Sequence, residues 1–440
     1  MTTTATTTAT GRAATAAARV MARADELGAI SARPDALERT HLTPEHRRAA
    51  DLVGAWMGEA GLAVHEDAAG NLCGRLEGAR PGLPAVLLGS HVDTVPDAGR
   101  YDGMLGVLLA IEVARGVRPG ELPFALEVVA FSDEEGTRFG SALSGSRALA
   151  GSWVEDWWGF TDSDGVTMAD AFAAYGLDPS RVGEAAREPG SLVAYLEAHI
   201  EQGPFLEEAD LPLAVVSSIA GARRFALTMT GRAGHAGGTP YERRRDALVG
   251  AAELVVEVER IGRSSGVVAT VGRLQAFPGG VNVVPGVVEL SLDLRAADDA
   301  ARDAAWVRIE AAAERIAAAR SLRFGATETY RADAVACAPW LRDAVRAGID
   351  AAGAPEPLAL WSRAGHDAMV VAGVAPVGML FVRNGNGGVS HSPDEIVAEA
   401  DVAVALDAFA ATVAELAHRF ESDDAARVAS DEDRTPEDRT

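Results

Sequence analysis

Short apolar runs and segments of helical spacing alternate along the first third of the chain. The run PAVLLGS (84–90) is apolar without alternation and ends in glycine, which predicts a strand buried on both faces. GMLGVLLAIEVARGV (103–117) has helical spacing, and FALEVVAFS (124–132) reads as a second buried strand. Strand, helix and strand in that order predict a βαβ unit, hence an α/β domain with a mixed, mostly parallel sheet and helices on both faces. In such sheets ligand-binding residues collect just past the carboxyl ends of the strands. His91 and Asp93 follow the first strand, and Asp133, Glu134 and Glu135 follow the second.

The pattern changes in the middle. RRFALTMTGRAGHAG (223–237) alternates like a strand, and RRDALVGAAELVVEVERIG (244–262) like an amphipathic helix. GVVATVGRLQAFPGGVNVVPGVVELSLDLRAA (266–297) reads as two strands with a Pro/Gly-rich connection, and ARDAAWVRIEAAAERIAAAR (301–320) as a second helix. Two helices on a small antiparallel sheet predict an α+β domain at 219–330, inserted into a discontinuous larger domain at 17–218 and 331–420. After 330 the chain returns to helix, apolar strand (VAPVGML, 374–380), a Gly-rich loop and a final helix. The Thr/Ala repeats at 1–16 lack apolar periodicity, and the acidic segment 421–440 has almost nothing to bury. Both read as disordered ends.

Length and composition fit this organisation. The chain has 440 residues, 48% hydrophobic and 24% charged, which suits two domains rather than one. No stretch approaches the ~18 unbroken apolar residues of a membrane span, and the N-terminus has no secretory pattern. The two cysteines, Cys73 and Cys337, match no zinc or disulfide spacing, which predicts a reduced, cytoplasmic chain. Net charge is −24, and every basic residue is Arg. That acidity disfavours nucleic acid and anionic membrane as partners.

Metal-ligand residue types stand at the candidate strand ends: His91 in GSHVDT, Asp102 in RYDGML, Glu134 and Glu135 in FSDEEGTRF, His199 in EAHIEQGP and His391 in GVSHSPDE. Any one of them alone reads equally well as a loop or capping residue. Together they supply the imidazole nitrogen and carboxylate oxygen of a two-metal hydrolytic site, with a spare carboxylate beside one ligand. Asp93, two residues after His91, reads either as the acceptor of the ligand imidazole's other N–H or as a turn cap.

These segments, with GRAGHAGGTPYERRRDAL, GVNVVPG and RAGHDA, resemble in order the amidohydrolase branch of the M20 metallopeptidase-like family. That branch holds N-carbamoyl-L-amino acid hydrolases, beta-ureidopropionases, and allantoate and ureidoglycolate amidohydrolases. The resemblance implies a catalytic domain with an inserted lid and dimerisation domain. It also implies two divalent ions, zinc first, with manganese, cobalt or nickel as alternatives. Asp102 would bridge them, His91 and His199 would hold one, and Glu135 and His391 the other. Glu134 would be the general base and His235 the lid residue that stabilises an oxyanion. Gln202, Asn282, Arg295, Gly365 and His366 would line the substrate, with Arg295 gripping its carboxylate. The implied activity is hydrolysis of N-carbamoyl-L-amino acids, with allantoate or ureidoglycolate as the alternative substrate. A dipeptidase is disfavoured by His199, where peptidases of the family tend to carry a carboxylate. A non-catalytic binding module would have lost Glu134 or a ligand. Three positions depart from the family's usual residues: Arg363, Gly238 and Tyr241.

Overall fold

The computed structural model describes residues 3–432, with side chains from Thr15 to Ser422. The chain divides into two compact units, one of 1–217, 337–360 and 366–440, the other of 218–336 and 361–365.

The first unit is built on a mixed sheet with a parallel centre. Strands Ala125–Phe131, Ala85–His91, Leu192–Ile200 and Val377–Val382 lie side by side, all parallel. Strands Leu72–Leu76 and Ala63–Glu66 extend one side antiparallel, and Leu213–Ile219 pairs antiparallel on the other. The central strands Ala85–His91 and Ala125–Phe131 are buried at every residue, which is why their sequences run apolar without alternation. Helix Met104–Gly116 is buried at every residue from Met104 to Ala114. It shares one core with helices Thr3–Gly28, Pro339–Ala351 and Glu399–Glu432. Four parallel neighbours bring their carboxyl ends to one edge of the sheet.

The ends differ from the sequence expectation. From residue 3 the Thr/Ala segment belongs to helix Thr3–Gly28, and the acidic segment belongs to Glu399–Glu432 as far as residue 432. Alanine is the strongest helix former, and extending a helix anchored in a core avoids a new nucleation step. Residues 433–440 of the expected tail lie outside the described residues.

The second unit is an antiparallel sheet in the order Leu274–Phe277, Val287–Ala296, Gly221–Thr230, Arg323–Ala332, with Val268–Thr270 also on Val287–Ala296. The expected first strand of 266–297 is thus two pieces paired to one partner. Helices Ala247–Ser265 and Asp299–Ala319 share a core with that sheet. Asp246 and Asp298 cap their N-termini. The unit reaches beyond 219–330 because Val335 and Ala336 pair with Ile219 and Ser218. Segment 361–365 joins it through Ser362, whose carbonyl accepts the Ala220 N–H at 2.9 Å.

Candidate active site

Asp102 is the hub of the first unit's polar cluster. His199 Nε2 lies 3.2 Å and His91 Nε2 3.6 Å from its Oδ1, while His391 Nε2 lies 3.1 Å from Oδ2. Glu135 Oε1 lies 3.4 Å from the same His391 nitrogen. One carboxylate oxygen therefore faces two imidazoles, and the other faces the third imidazole with its carboxylate partner. Ligand-type atoms of Glu134 also fall in one cluster with His91 and Glu135. The segments come together because His91 and His199 sit at the ends of adjacent parallel strands and Glu134 follows the next.

Gly103 makes room for this packing. Its φ is +67°, and a Cβ there would lie 2.4 Å from His91 Nε2. Only glycine takes that conformation at so close an approach.

Hydrogen bonds orient the two buried rings. His91 Nδ1 lies 3.1 Å from the Asp93 carbonyl, and His199 Nδ1 2.9 Å from the Ile200 carbonyl. A carbonyl can only accept, so the neutral rings carry their protons on Nδ1 and turn bare Nε2 lone pairs toward Asp102. Acceptors facing a carboxylate need a shared cation, either protons or metal ions. Ligands about 2.1 Å from a tetrahedral ion lie roughly 3.4 Å apart, close to the spacings around Asp102. The donor set, nitrogen and oxygen without thiolate, fits zinc and its first-row neighbours. The groups fit two ions sharing Asp102.

Burial and close contacts shift the acid–base balance of these groups. Burial pushes the Glu134 carboxyl well above its usual range, and Glu135 and Asp367 add to this while His91 opposes it. Burial, then Asp102, pushes Glu135 up to about 7. The bond to Asp102 lifts His391 to about 9. Asp102 itself is held well below the carboxylate range, because three imidazole contacts outweigh its burial.

Asp93 meets both the His91 ring and the turn after the neighbouring strand. Its carboxylate oxygens accept the backbone N–H groups of Glu134 at 3.0 Å and Glu135 at 3.1 Å, and Oδ1 also lies 3.4 Å from His91 Nδ1, beside the carbonyl contact at 3.1 Å. Gln202 donates Nε2 to Asp102 Oδ2 at 2.8 Å. Its buried Oε1 has no protein hydrogen-bond partner among the described residues. His366 is buried with its ring 4.5 Å from that of His199.

His235, Asn282, Arg295 and Gly365 belong to the second unit. His235 Nδ1 accepts the Gly238 N–H at 3.0 Å, so the exposed neutral ring carries its proton on Nε2. Asn282 accepts the Ala236 N–H at its carbonyl, 2.9 Å, which ties the two loops together. Arg295 donates Nε to Asp293 at 2.7 Å and Nη1 to the Arg363 carbonyl at 2.7 Å. The Arg363 guanidinium lies over the Trp361 ring, and Tyr241 is exposed.

Sequence reasoning passed over Ser390 and Glu395. Ser390 Oγ lies 2.8 Å from Asp102 Oδ2 and 2.9 Å from Glu395 Oε2. Glu395 accepts the backbone N–H groups of Tyr101 and Asp102 at 2.7 and 3.2 Å. Their only signal was adjacency to His391 in SHSPDE, and serine and glutamate in a polar loop are commonplace.

Residues 87–415 match peptidase family M20/M25/M40. The chain belongs to this family. An N-carbamoyl-L-amino acid amidohydrolase of Geobacillus stearothermophilus is 43% identical over 403 residues, covering 91% of this chain and 98% of that protein. An allantoate deiminase of Arabidopsis thaliana is 39% identical, covering 88% of this chain and 79% of that protein. The crystal structure of a hydantoinase/carbamoylase family amidase from Burkholderia multivorans superposes with a TM-score of 0.84 at 34% identity, covering 91% and 97% of the two chains. Within the M20 family the chain stands on the amidohydrolase branch and is a hydrolytic enzyme, as its motifs implied. No helix among the described residues is long and apolar enough to cross a membrane.

Proposed function

We propose that this M20-family enzyme hydrolyses N-carbamoyl-L-amino acids to the amino acid, ammonia and carbon dioxide. The observation that carries the reading is the division of Asp102, with His91 and His199 on one oxygen and His391 with Glu135 on the other. Glu134 stands beside this group as a carboxylate outside that set of four ligands. The substrate follows from the activity named for the Geobacillus relative.

Two divalent ions held by these residues, zinc in the first instance, would acidify a water toward pKa ~7 and polarise the carbonyl under attack. Glu134 takes the proton from the attacking water and delivers it to the leaving nitrogen. The raised affinity of its buried carboxyl for a proton suits the second half of that task. His235, with its proton on Nε2, donates to the developing oxyanion. Arg295 and Asn282 hold the substrate carboxylate, with the Arg295 fork kept in place by Asp293. Gln202 Oε1 accepts a ureido N–H, and Gly365 and His366 contact the substrate.

Allantoate is the second reading, favoured by the Arabidopsis relative; it too carries a carboxylate next to ureido nitrogen. Incubating metal-loaded enzyme with N-carbamoyl-L-amino acids, allantoate and dipeptides, and following ammonia and amine release, decides among them. Turnover of dipeptides alone overturns the proposal.

The enzyme further reads as a cytoplasmic homodimer. Cys73 and Cys337 are buried and unpaired, in keeping with a reducing compartment. Strand Arg323–Ala332 forms one edge of the second unit's sheet, with eight of its ten residues exposed, and such an edge is a template for pairing with a second copy. Sedimentation showing a fully active monomer at micromolar concentration rules the dimer out.

A further inference from the structure

We propose that Ser390 is a positioning residue for one of the two metal positions, and that the two positions fill in order. The inference rests on the two-metal reading above. Three observations within the first unit separate the positions. On one side His91 and His199 have side chains only 2% exposed, and each ring is fixed through Nδ1 by a backbone carbonyl. On the other side the His391 side chain is half exposed, and among the described residues nothing hydrogen-bonds its Nδ1. Its backbone also stands at φ +54°, where only a few per cent of non-glycine residues are found.

The third observation concerns Asp102. Among the described residues its Oδ1 faces the two fixed imidazoles alone, whereas its Oδ2 contacts Gln202 Nε2 and Ser390 Oγ, each at 2.8 Å. Ser390 is in turn linked to Glu395, which grips the main chain of Tyr101 and Asp102. The loop 390–395 therefore carries a ligand, His391, and the clamp that aims Oδ2 at it. On the buried side the ligands are preset by strand ends and carbonyls. On the His391 side an exposed ring must be ordered at the moment of binding, which costs side-chain entropy. The position between His91 and His199 fills first, and the position between Glu135 and His391 second and more weakly. Ser390 supports only the second, because its bond is to Oδ2.

Calorimetric titration of metal-free enzyme with Zn2+ tests this without reference to turnover. The wild type should bind two ions in two resolvable steps, and His391→Ala should abolish the weaker step alone. Ser390→Ala should leave the first step within about twofold and weaken the second by about 10–100-fold, the usual effect of removing a group that orients a ligand. Ser390→Thr keeps the hydroxyl and should restore the second step. The inference is overturned if Ser390→Ala weakens both steps equally, leaves both unchanged, or is not rescued by threonine. It is also overturned if His391→Ala removes the tighter step. A wild type that binds no more than one ion overturns the two-metal reading itself, and the inference with it. Two ions bound with equal affinity overturn the inference alone.

Discussion

Asp93 Oδ1 accepts the backbone N–H of Glu134 at 3.0 Å, across 41 residues of sequence. The carboxylate that follows one central strand thus holds the turn that follows its neighbour. Its other oxygen takes the Glu135 N–H, so Glu134, the proposed general base, and Glu135 are both aimed by one buried side chain.

Asp93→Asn should therefore disturb Glu134 more than His91. The amide has one acceptor oxygen instead of two and turns an N–H toward a backbone N–H. A stranded buried donor costs about 1–3 kcal/mol, and a misplacement of about 1 Å at a reacting group can lower turnover ~100-fold. Urea unfolding and kcat together check this; an unchanged midpoint with unchanged kcat rejects it.

Glu134→Gln should keep both ions and lose turnover by about 10²–10⁴-fold, the usual contribution of a positioned general base. Metal content by atomic absorption and kcat are the readouts. A variant retaining more than about a tenth of wild-type kcat, well outside that range, shows that another group moves the proton.

Gly103→Ala should damage the site without touching a ligand. The new Cβ would meet His91 Nε2 at 2.4 Å in a backbone conformation of positive φ, so the ring or the Asp102 turn must move. Loss should fall first on the ion between His91 and His199, read as reduced affinity for the tighter of two bound ions. A variant that binds both ions as the wild type does refutes the packing argument.

Arg295→Lys should not rescue carboxylate recognition, because an ammonium cannot reproduce the guanidinium fork that Asp293 holds in place. Loss of a charge-assisted contact of about 1.5–3 kcal/mol lowers kcat/KM by roughly ten- to over a hundredfold. Substrate amides without the carboxylate should suffer a similar loss with wild-type enzyme and little more with the variant. If the two losses multiply instead, Arg295 does not touch the carboxylate, and Arg363 becomes the better candidate.

By itself the sequence determined the element types, the two-part organisation and the residue types of the site. Those are local properties. Apolar runs such as PAVLLGS cannot face water on either side, alternation in 223–230 suits a strand with one buried face, and imidazole and carboxylate groups past strand ends have few other uses in such number. Segment 3–16 escaped because a helix continued from a buried core does not need an apolar stripe of its own. Tertiary structure alone decided which groups meet. Asp102 is 97 residues from His199 and 289 from His391, and only the parallel order of four strands brings their ends to one place. It also decided the parts played by commonplace residues. Asp93 was read either as serving the histidine two positions away or as a turn cap; it lies beside that histidine, and the turn after a neighbouring strand gives its carboxylate two backbone donors as well. Ser390 and Glu395 became visible only where their loop meets the turn at Asp102. Hydrogen bonds of this kind depend on distances between segments remote in sequence, which no residue pattern along the chain encodes.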